Sequence, residues 1–140
     1  MLASPDPVTR QPQVYVTEED LERLSDIVGN RSGQLPGPRM LLEELSRAIV
    51  VSAEEAPRRF VRLNSFVAFE DTQTGAVRRV RLVSPAEADV DEGRISVLTP
   101  VGAALIGLTR GAEFSWTDPA GRRHAVKVLD VVDAYDPPVA

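Results

Sequence analysis

Apolar positions at helical spacing dominate the first part of the chain. Leu21, Leu24 and Val28 recur at intervals of three and four residues, which places them on one face of a short helix. The segment 17–20, Thr-Glu-Glu-Asp, precedes them and has the composition of a helix N-terminal cap. A second stripe begins near Pro38 and comprises Leu41, Leu42, Leu45, Ala48 and Ile49. Because a turn joins the two segments, we expect a short antiparallel helical hairpin.

After residue 57 the pattern changes to the alternation that is typical of β-strands. The predicted strands cover 66–70, 76–83, 94–97, 113–117 and 123–132, with weaker strand character at 60–63. Turn sequences at 72–75 and 118–121 join the first two and the last two long strands into β-hairpins. We therefore predict an α+β fold, in which a short N-terminal helical hairpin precedes an antiparallel sheet of about five strands with one short helix.

The same change of pattern suggests how the chain is organised. Its 140 residues suit one domain with a small appendage. We expect a flexible tail at 1–13, the helical hairpin at 14–56, the sheet domain at 57–134 and a second tail at 135–140.

The stretch 94–111, RISVLTPVGAALIGLTRG, predicts a strand, a break, one small-residue helical turn and a glycine exit. Thr99 can cap the helix, and Pro100 suits its first position, where a missing N–H costs nothing. Gly102 permits close approach to another backbone, and Gly107 and Gly111 suit left-handed positions. On periodicity alone, this stretch is a packing device of the fold.

Charge is distributed unevenly along the chain and bears on the kind of partner. Residues 17–55 hold nine acids against four arginines, and residues 56–140 hold eleven acids against eleven bases, so the acidic surplus lies in the first third. Nucleic-acid binding normally requires clustered positive charge, so direct sequence-specific binding to nucleic acid is disfavoured and a protein partner is favoured. No apolar run approaches the ~18 residues of a membrane helix, and we expect a cytoplasmic protein with no membrane partner.

Candidate catalytic and metal-binding residues are few. His124 is the only histidine, there is no cysteine, and the glycines lack the spacing and the lysine of a phosphate-binding loop. His124 shares strand parity with Val126 and Val128, which favours a structural role at the rim of a sheet. The acids at 87–92 do not have the spacing of a calcium-binding loop. We predict no catalytic residue, no cofactor and no metal site.

The segment 99–107, TPVGAALIG, followed by Gly-Ala-Glu at 111–113, resembles the signature of the bacterial Gre transcript-cleavage factors. Thr99 stands where serine is usual in that signature, and Ala112 stands before the acid. The resemblance extends over about 61–132 and implies the FKBP-like fold of the Gre C-terminal domain. Further similarity, at 53–55, 63–65 and 84–86, is to a short-armed branch of the family that is named for regulating nucleoside diphosphate kinase.

This resemblance implies a partner and a docking surface. Gre factors act on RNA polymerase, and their C-terminal domain docks at the rim of its secondary channel. The equivalent loops in this chain would be 84–89 and 99–101. The residues implied are Ser84, Pro85, Glu87, Asp89, Thr99, Pro100 and Val101.

The helical arm departs from the family pattern. Gre arms are long coiled coils whose paired tip carboxylates help to hold a catalytic metal ion. Here the tip, 29–38, has one arginine and no acid, and arms of about 12 residues would reach only ~18 Å. We therefore expect a polymerase-binding regulator that does not stimulate transcript cleavage.

Two other functions remain open at this point. Fold analogy alone suggests a peptidyl-prolyl isomerase, although the aromatic residues that would line its pocket look core-directed: Phe60, Phe66, Phe69, Phe114 and Trp116. Alternatively, the chain binds nucleoside diphosphate kinase or another protein. The sequence does not determine the oligomeric state.

Overall fold

The computed structural model describes residues 12–29, 35–52, 54–55 and 59–132. Its helices are α1 (Glu18–Val28), α2 (Pro36–Arg47) and α3 (Pro100–Leu105). Its strands are β1 (Tyr15–Val16), β2 (Ile49–Val50), β3 (Phe66–Asp71), β4 (Val77–Val83), β5 (Arg94–Ser96), β6 (Glu113–Thr117) and β7 (Arg123–Val132). The α+β class is confirmed. Both predicted tails fall largely outside the described residues, as do the predicted tip residues 30–34.

The two N-terminal helices form for local reasons. Thr17 caps α1, because its side-chain oxygen accepts a hydrogen bond from the Asp20 backbone N–H at 3.1 Å. Helix α2 carries prolines in its first turn and begins at Pro36, slightly before the predicted start. It ends at Arg47, so the assignment of Ile49 to its apolar stripe is wrong. Ile49 lies in β2, where its N–H donates to Val14 and β2 pairs in parallel with β1.

The main sheet has five strands in the order β5-β4-β3-β7-β6. Both predicted β-hairpins are confirmed, with β3 antiparallel to β4 and β6 antiparallel to β7. The prediction of a wholly antiparallel sheet is wrong, because β5 pairs with β4 in parallel. The physical reason is the connection at 84–93, which contains two 3-10 turns, Pro85–Glu87 and Val90–Glu92. This connection carries the chain from the end of β4 back to the level at which β5 begins, so β5 runs in the same direction as β4. The segment 60–63 is not one of the strands: it makes an isolated bridge between Phe60 and Thr109 and backbone hydrogen bonds between Val61 and both Gly107 and Leu108.

The helices and the inner face of the sheet share one hydrophobic core. Leu24 of α1, Leu41 of α2, Leu105 of α3 and Val128 of β7 are all fully buried in it. Helix α2 packs more extensively on α3 than on α1. Buried Asp20 of α1 also accepts a hydrogen bond from the Leu63 N–H, at 3.2 Å. The helical segment therefore lies against the sheet domain along much of its length.

Candidate docking surface beside strands β4 and β5

The parallel pairing of β4 and β5 brings two of the predicted site loops to one edge of the sheet. Val83 is opposite Ser96 at the end of the pairing, and the Val97 N–H donates to the Val83 carbonyl at 2.9 Å. Parallel neighbours end at the same edge, so the segments that follow them start side by side. Ser84 and Pro85 follow β4 directly, and the segment 99–101 follows β5 after Val97 and Leu98.

The segment 99–101 is held by the cap of α3. The Thr99 hydroxyl donates to the Ser96 carbonyl at 2.7 Å, and its oxygen accepts from the Gly102 N–H at 3.1 Å. A Cβ at Gly102 would lie 2.2 Å from the Ser96 carbonyl oxygen, which confirms the predicted close approach. Thr99 is exposed and Pro100 and Val101 are half-buried, so this rigid turn is accessible from outside. Gly107 and Gly111 have positive φ, as predicted.

The acidic loop is a compact turn rather than an irregular one. The Ser84 hydroxyl is 3.3 Å from the Glu87 carboxylate, and the Glu87 N–H donates to the Ser84 carbonyl at 3.0 Å. The Arg94 guanidinium donates to the Glu87 carbonyl at 3.1 Å and pairs with the Asp89 carboxylate. The exposed carboxylate of Glu87 has no cationic partner among the described residues.

Asp89 is more strongly engaged. Its backbone exchanges two hydrogen bonds of 2.9 Å with Arg94, and its carboxylate lies 3.6 Å from the Arg94 guanidinium. Because Asp89 bridges to Arg94 and Ser96 ends β5, Asp89 lies level with the start of β5, about 7 Å from the end of this strand at ~3.3 Å per strand residue. The shared end of β4 and β5 thus leads to Ser84 and Pro85 on one strand and towards 99–101 on the other. Glu87 and Asp89 both contact Arg94 at the start of β5, Glu87 through its carbonyl and Asp89 through its backbone and its carboxylate.

Sequence reasoning missed one neighbour of this surface, the first turn of α2. A Cβ at Gly37 would lie 1.7 Å from the Leu98 carbonyl oxygen and 3.1 Å from the Thr99 carbonyl carbon. Only glycine allows helix and loop backbones to approach this closely. The available signal was a glycine between two prolines at 36–38, a segment predicted only to be part of the hairpin tip.

The lone histidine lies at the rim of the sheet. His124 Nε2 is 2.8 Å from an Asp118 carboxylate oxygen, and the imidazole stacks on Trp116 at 5.2 Å. This hydrogen bond, helped by the Arg122 N–H, lowers the pKa of Asp118 below its ordinary value. Within the described ranges, no group of three or more His, Asp or Glu side chains is arranged to hold a metal ion.

Of the aromatic residues considered for a proline pocket, Phe66 lines one cavity, and Phe114 and Trp116 line a different groove. Phe60, Phe69 and Phe114 are buried, in agreement with the prediction. Phe66 is 48% exposed, so the prediction that it faces the core is wrong. Its parity places it on the outer face of β3, where the Arg81 guanidinium lies 5.0 Å above its ring.

Glu44 is a buried acid of α2 with a strongly raised pKa. It is 3% exposed, and its carboxylate pairs with Arg47, which also donates to the Pro12 carbonyl. Burial raises the pKa of Glu44 to about 7, despite the opposing effect of Arg47. It lines a groove of about 650 Å³ between α2 and β6, whose lining includes no residue of 84–89 or 99–101.

Two protein-family models match this chain. Residues 56–133 match the model of the GreA/GreB transcription elongation factor C-terminal domain, and residues 12–51 match the model of the Rnk N-terminus. The chain therefore belongs to the GreA/GreB family. No helix of the described residues is long and apolar enough to cross a membrane.

Individual relatives agree with this assignment. The chain is 35% identical to the regulator of nucleoside diphosphate kinase of Escherichia coli K12, over 93% of this chain and 95% of the relative. It is 38% identical to transcription elongation factor GreA of Syntrophobacter fumaroxidans, over 65% of this chain and 58% of that protein. A solved GreA/GreB factor from Nitrosomonas europaea is 35% identical and superposes with a TM-score of 0.66, covering 88% of this chain and all of its own.

Proposed function

We propose that the chain is an RNA polymerase-binding transcription regulator that docks at the rim of the secondary channel and does not stimulate transcript cleavage. The observation that carries this proposal is the parallel pairing of β4 and β5, which end side by side and lead to Ser84 and Pro85 on one strand and, after Val97 and Leu98, to 99–101 on the other. These are the loops implied by the family resemblance, and membership of the GreA/GreB family supports the same partner. Such a regulator would act in the cytoplasm.

The lack of cleavage stimulation is proposed from the helical arm. Helices α1 and α2 have 11 and 12 residues, which correspond to about 16–18 Å at ~1.5 Å per residue. The connecting sequence at 30–34, Asn-Arg-Ser-Gly-Gln, contains no carboxylate, and neither do residues 35–38. A catalytic metal ion needs oxygen ligands, which this connection does not offer in paired form.

Competition is the direct test of the partner. The full-length chain, immobilised, should retain bacterial core RNA polymerase, and an added GreA factor should displace the polymerase because both would use the same rim. Retention that GreA cannot reduce would contradict docking at the channel rim. A transcript-cleavage assay on stalled elongation complexes should show no stimulation by this chain.

Charge reversal tests the surface itself. We expect Glu87→Lys to weaken polymerase binding about three- to tenfold at low salt, mainly through the association rate, because rim charges steer encounter. The effect should shrink as salt screens the charge. Biolayer interferometry at two salt concentrations measures both.

Glu22→Lys is the matched control for this reversal, since Glu22 is an exposed acid on α1 and the change in net charge is the same. Asp89→Lys should weaken binding as well, but it also removes the ion pair with Arg94, so Glu87 is the cleaner test. Equal affinity of Glu87→Lys and Glu22→Lys would count against this surface.

A second candidate function follows from the name of the Escherichia coli relative, which is a regulator of nucleoside diphosphate kinase. Direct action would require that the purified chain bind the kinase or change its activity in the absence of polymerase. A kinase assay with the purified chain added distinguishes this from an indirect effect through transcription.

A further inference from the structure

The candidate docking surface lacks an obvious apolar centre when only the two loops are considered. Thr99, Ser84 and Glu87 present polar groups, while Pro100 and Val101 are half-buried. Stable protein interfaces usually place a buried apolar anchor at the centre and charged groups at the rim. An apolar anchor for this surface is therefore expected among the residues that neighbour the two loops.

The first turn of α2 supplies one. Leu35 caps this helix in an extended conformation, with φ −79° and ψ 138°, and it is 63% exposed. Two residues later, a Cβ at Gly37 would lie 1.7 Å from the Leu98 carbonyl oxygen, so the start of α2 is held against Leu98 and Thr99. Leu98 and Val101 are themselves half-buried and pack on the core, so the exposed Leu35 adds an apolar side chain that the two loops lack.

The start of α2 and the acidic turn both lie close to the end of β5. Gly37 of α2 approaches the backbone of Leu98 and Thr99, and the acidic turn begins at Ser84, directly after the β4 residue that pairs with Ser96. The neighbourhood of this strand end therefore includes an exposed leucine, Leu35, and an exposed acid, Glu87. Such a surface complements a helical protein surface that carries an apolar residue and a basic residue on one face.

We propose that Leu35 is the apolar anchor of this docking surface, and that Gly37 positions it by allowing α2 to rest on Leu98. The proposal rests on the proposed function and names the same partner, a polymerase surface with apolar and basic residues. It extends the site from two loops of the sheet domain to the helical segment. The short arm then contributes to docking through the start of its second helix.

The test compares two exposed leucines in the full-length chain. Leu35→Ser should weaken binding to core RNA polymerase about tenfold, as expected for an interface anchor. Leu42→Ser is the matched control, because Leu42 is an exposed leucine of α2, 47% exposed, about 10 Å further along the helix at ~1.5 Å per residue. The control should change affinity less than twofold.

The outcomes separate this inference from the proposed function. If the wild-type chain does not bind polymerase, both fail. If wild type binds and Glu87→Lys weakens binding, but Leu35→Ser behaves like Leu42→Ser, the proposed function stands and the anchor is overturned. If Leu35→Ser loses binding and Leu42→Ser does not, the anchor role of Leu35 is supported.

A second variant tests the positioning role of Gly37. Gly37→Ala would bring a methyl group against the Leu98 carbonyl, so the start of α2 must move while Leu35 is retained. Affinity should fall several-fold, and the far-UV circular dichroism and the fluorescence of Trp116, the single tryptophan, should show that the chain remains folded. Wild-type affinity in a folded Gly37→Ala variant would overturn the positioning role.

Discussion

At the scale of single residues, Glu43 and Glu44 show how far the environment of neighbouring acids can differ. The sequence presents both as ordinary helix carboxylates, but Glu43 is exposed and Glu44 is buried among α2, β6 and the segment that contains Pro12. Burial disfavours the charged form more than Arg47 favours it, which raises the pKa of Glu44 to about 7. Helical spacing places Glu44 on the same face as Leu41 and Ala48, but the raised pKa depends on burial by segments distant in sequence.

This raised pKa predicts a specific pH dependence of stability. Between about pH 4.5 and 7, folded Glu44 retains a proton that the unfolded chain has lost, so raising the pH in this window lowers the free energy of unfolding. Glu44→Gln does not titrate. The free energy of unfolding of this variant, relative to wild type, should therefore rise across the window and level off above it.

Urea unfolding followed by Trp116 fluorescence, at several pH values across the window, measures the difference. Glu43→Gln removes the same charge at an exposed position of the same helix and controls for the change in net charge. If the free energies of unfolding of wild type and Glu44→Gln differ by the same amount at every pH, the raised pKa of Glu44 is contradicted.

At the scale of secondary-structure elements, α3 shows how local chemistry and strand pairing cooperate. Its start was predictable because Thr99 and Pro100 act within one turn, and the structure confirms both the cap and the proline position. Its location beside the turn at 84–87 was not predictable, because that depends on the parallel pairing of β4 with β5. The candidate docking surface is a product of both.

Removing the cap of α3 should have a measurable cost. Thr99→Ala loses the acceptor for the Gly102 N–H and the donor to the Ser96 carbonyl, so the free energy of unfolding should fall by about 1 kcal/mol. Thr99→Ser keeps the hydroxyl and should retain most of this stability. Chemical denaturation measures both variants, and equal stability of Thr99→Ala and wild type would show that the cap contributes little.

At the scale of the whole molecule, the helical segment and the sheet share a core. Leu24 and Leu41 are completely buried in the cluster that includes Leu105 and Val128. The predicted boundary between 14–56 and 57–134 is thus crossed by apolar packing and by the Asp20–Leu63 hydrogen bond. We expect the described parts of the chain to unfold as one cooperative unit.

Leu41→Ala tests this expectation. The cavity left in the shared core should lower the free energy of unfolding of the entire chain by about 2–5 kcal/mol. Trp116 fluorescence, which reports on β6, and far-UV circular dichroism, which reports on the helices, should shift together. Leu42→Ala, at a 47% exposed position of the same helix, should change stability by less than about 1 kcal/mol.

Separate transitions, with the Trp116 midpoint unchanged in Leu41→Ala, would mean that the helical segment is an independent domain.

The sequence by itself determined the features that depend on a few neighbouring residues. The caps at Thr17 and Thr99, the two β-hairpins and the close approach at Gly102 follow from residue types within a short window. The family signature at 99–107 also lies within one such window. Capping groups, prolines and turn residues restrict the backbone locally, so their effect can be read without knowing the fold.

Only the tertiary structure decided which distant segments meet. The parallel pairs β1–β2 and β4–β5, the exposure of Phe66, the burial of Glu44 and the contact of Gly37 with Leu98 each depend on a partner far along the chain. Short apolar runs such as 49–51 and 66–69 suit several environments, and packing selects one of them. The loops of the candidate surface were predictable one at a time, whereas their arrangement around 98–101 arises from this packing.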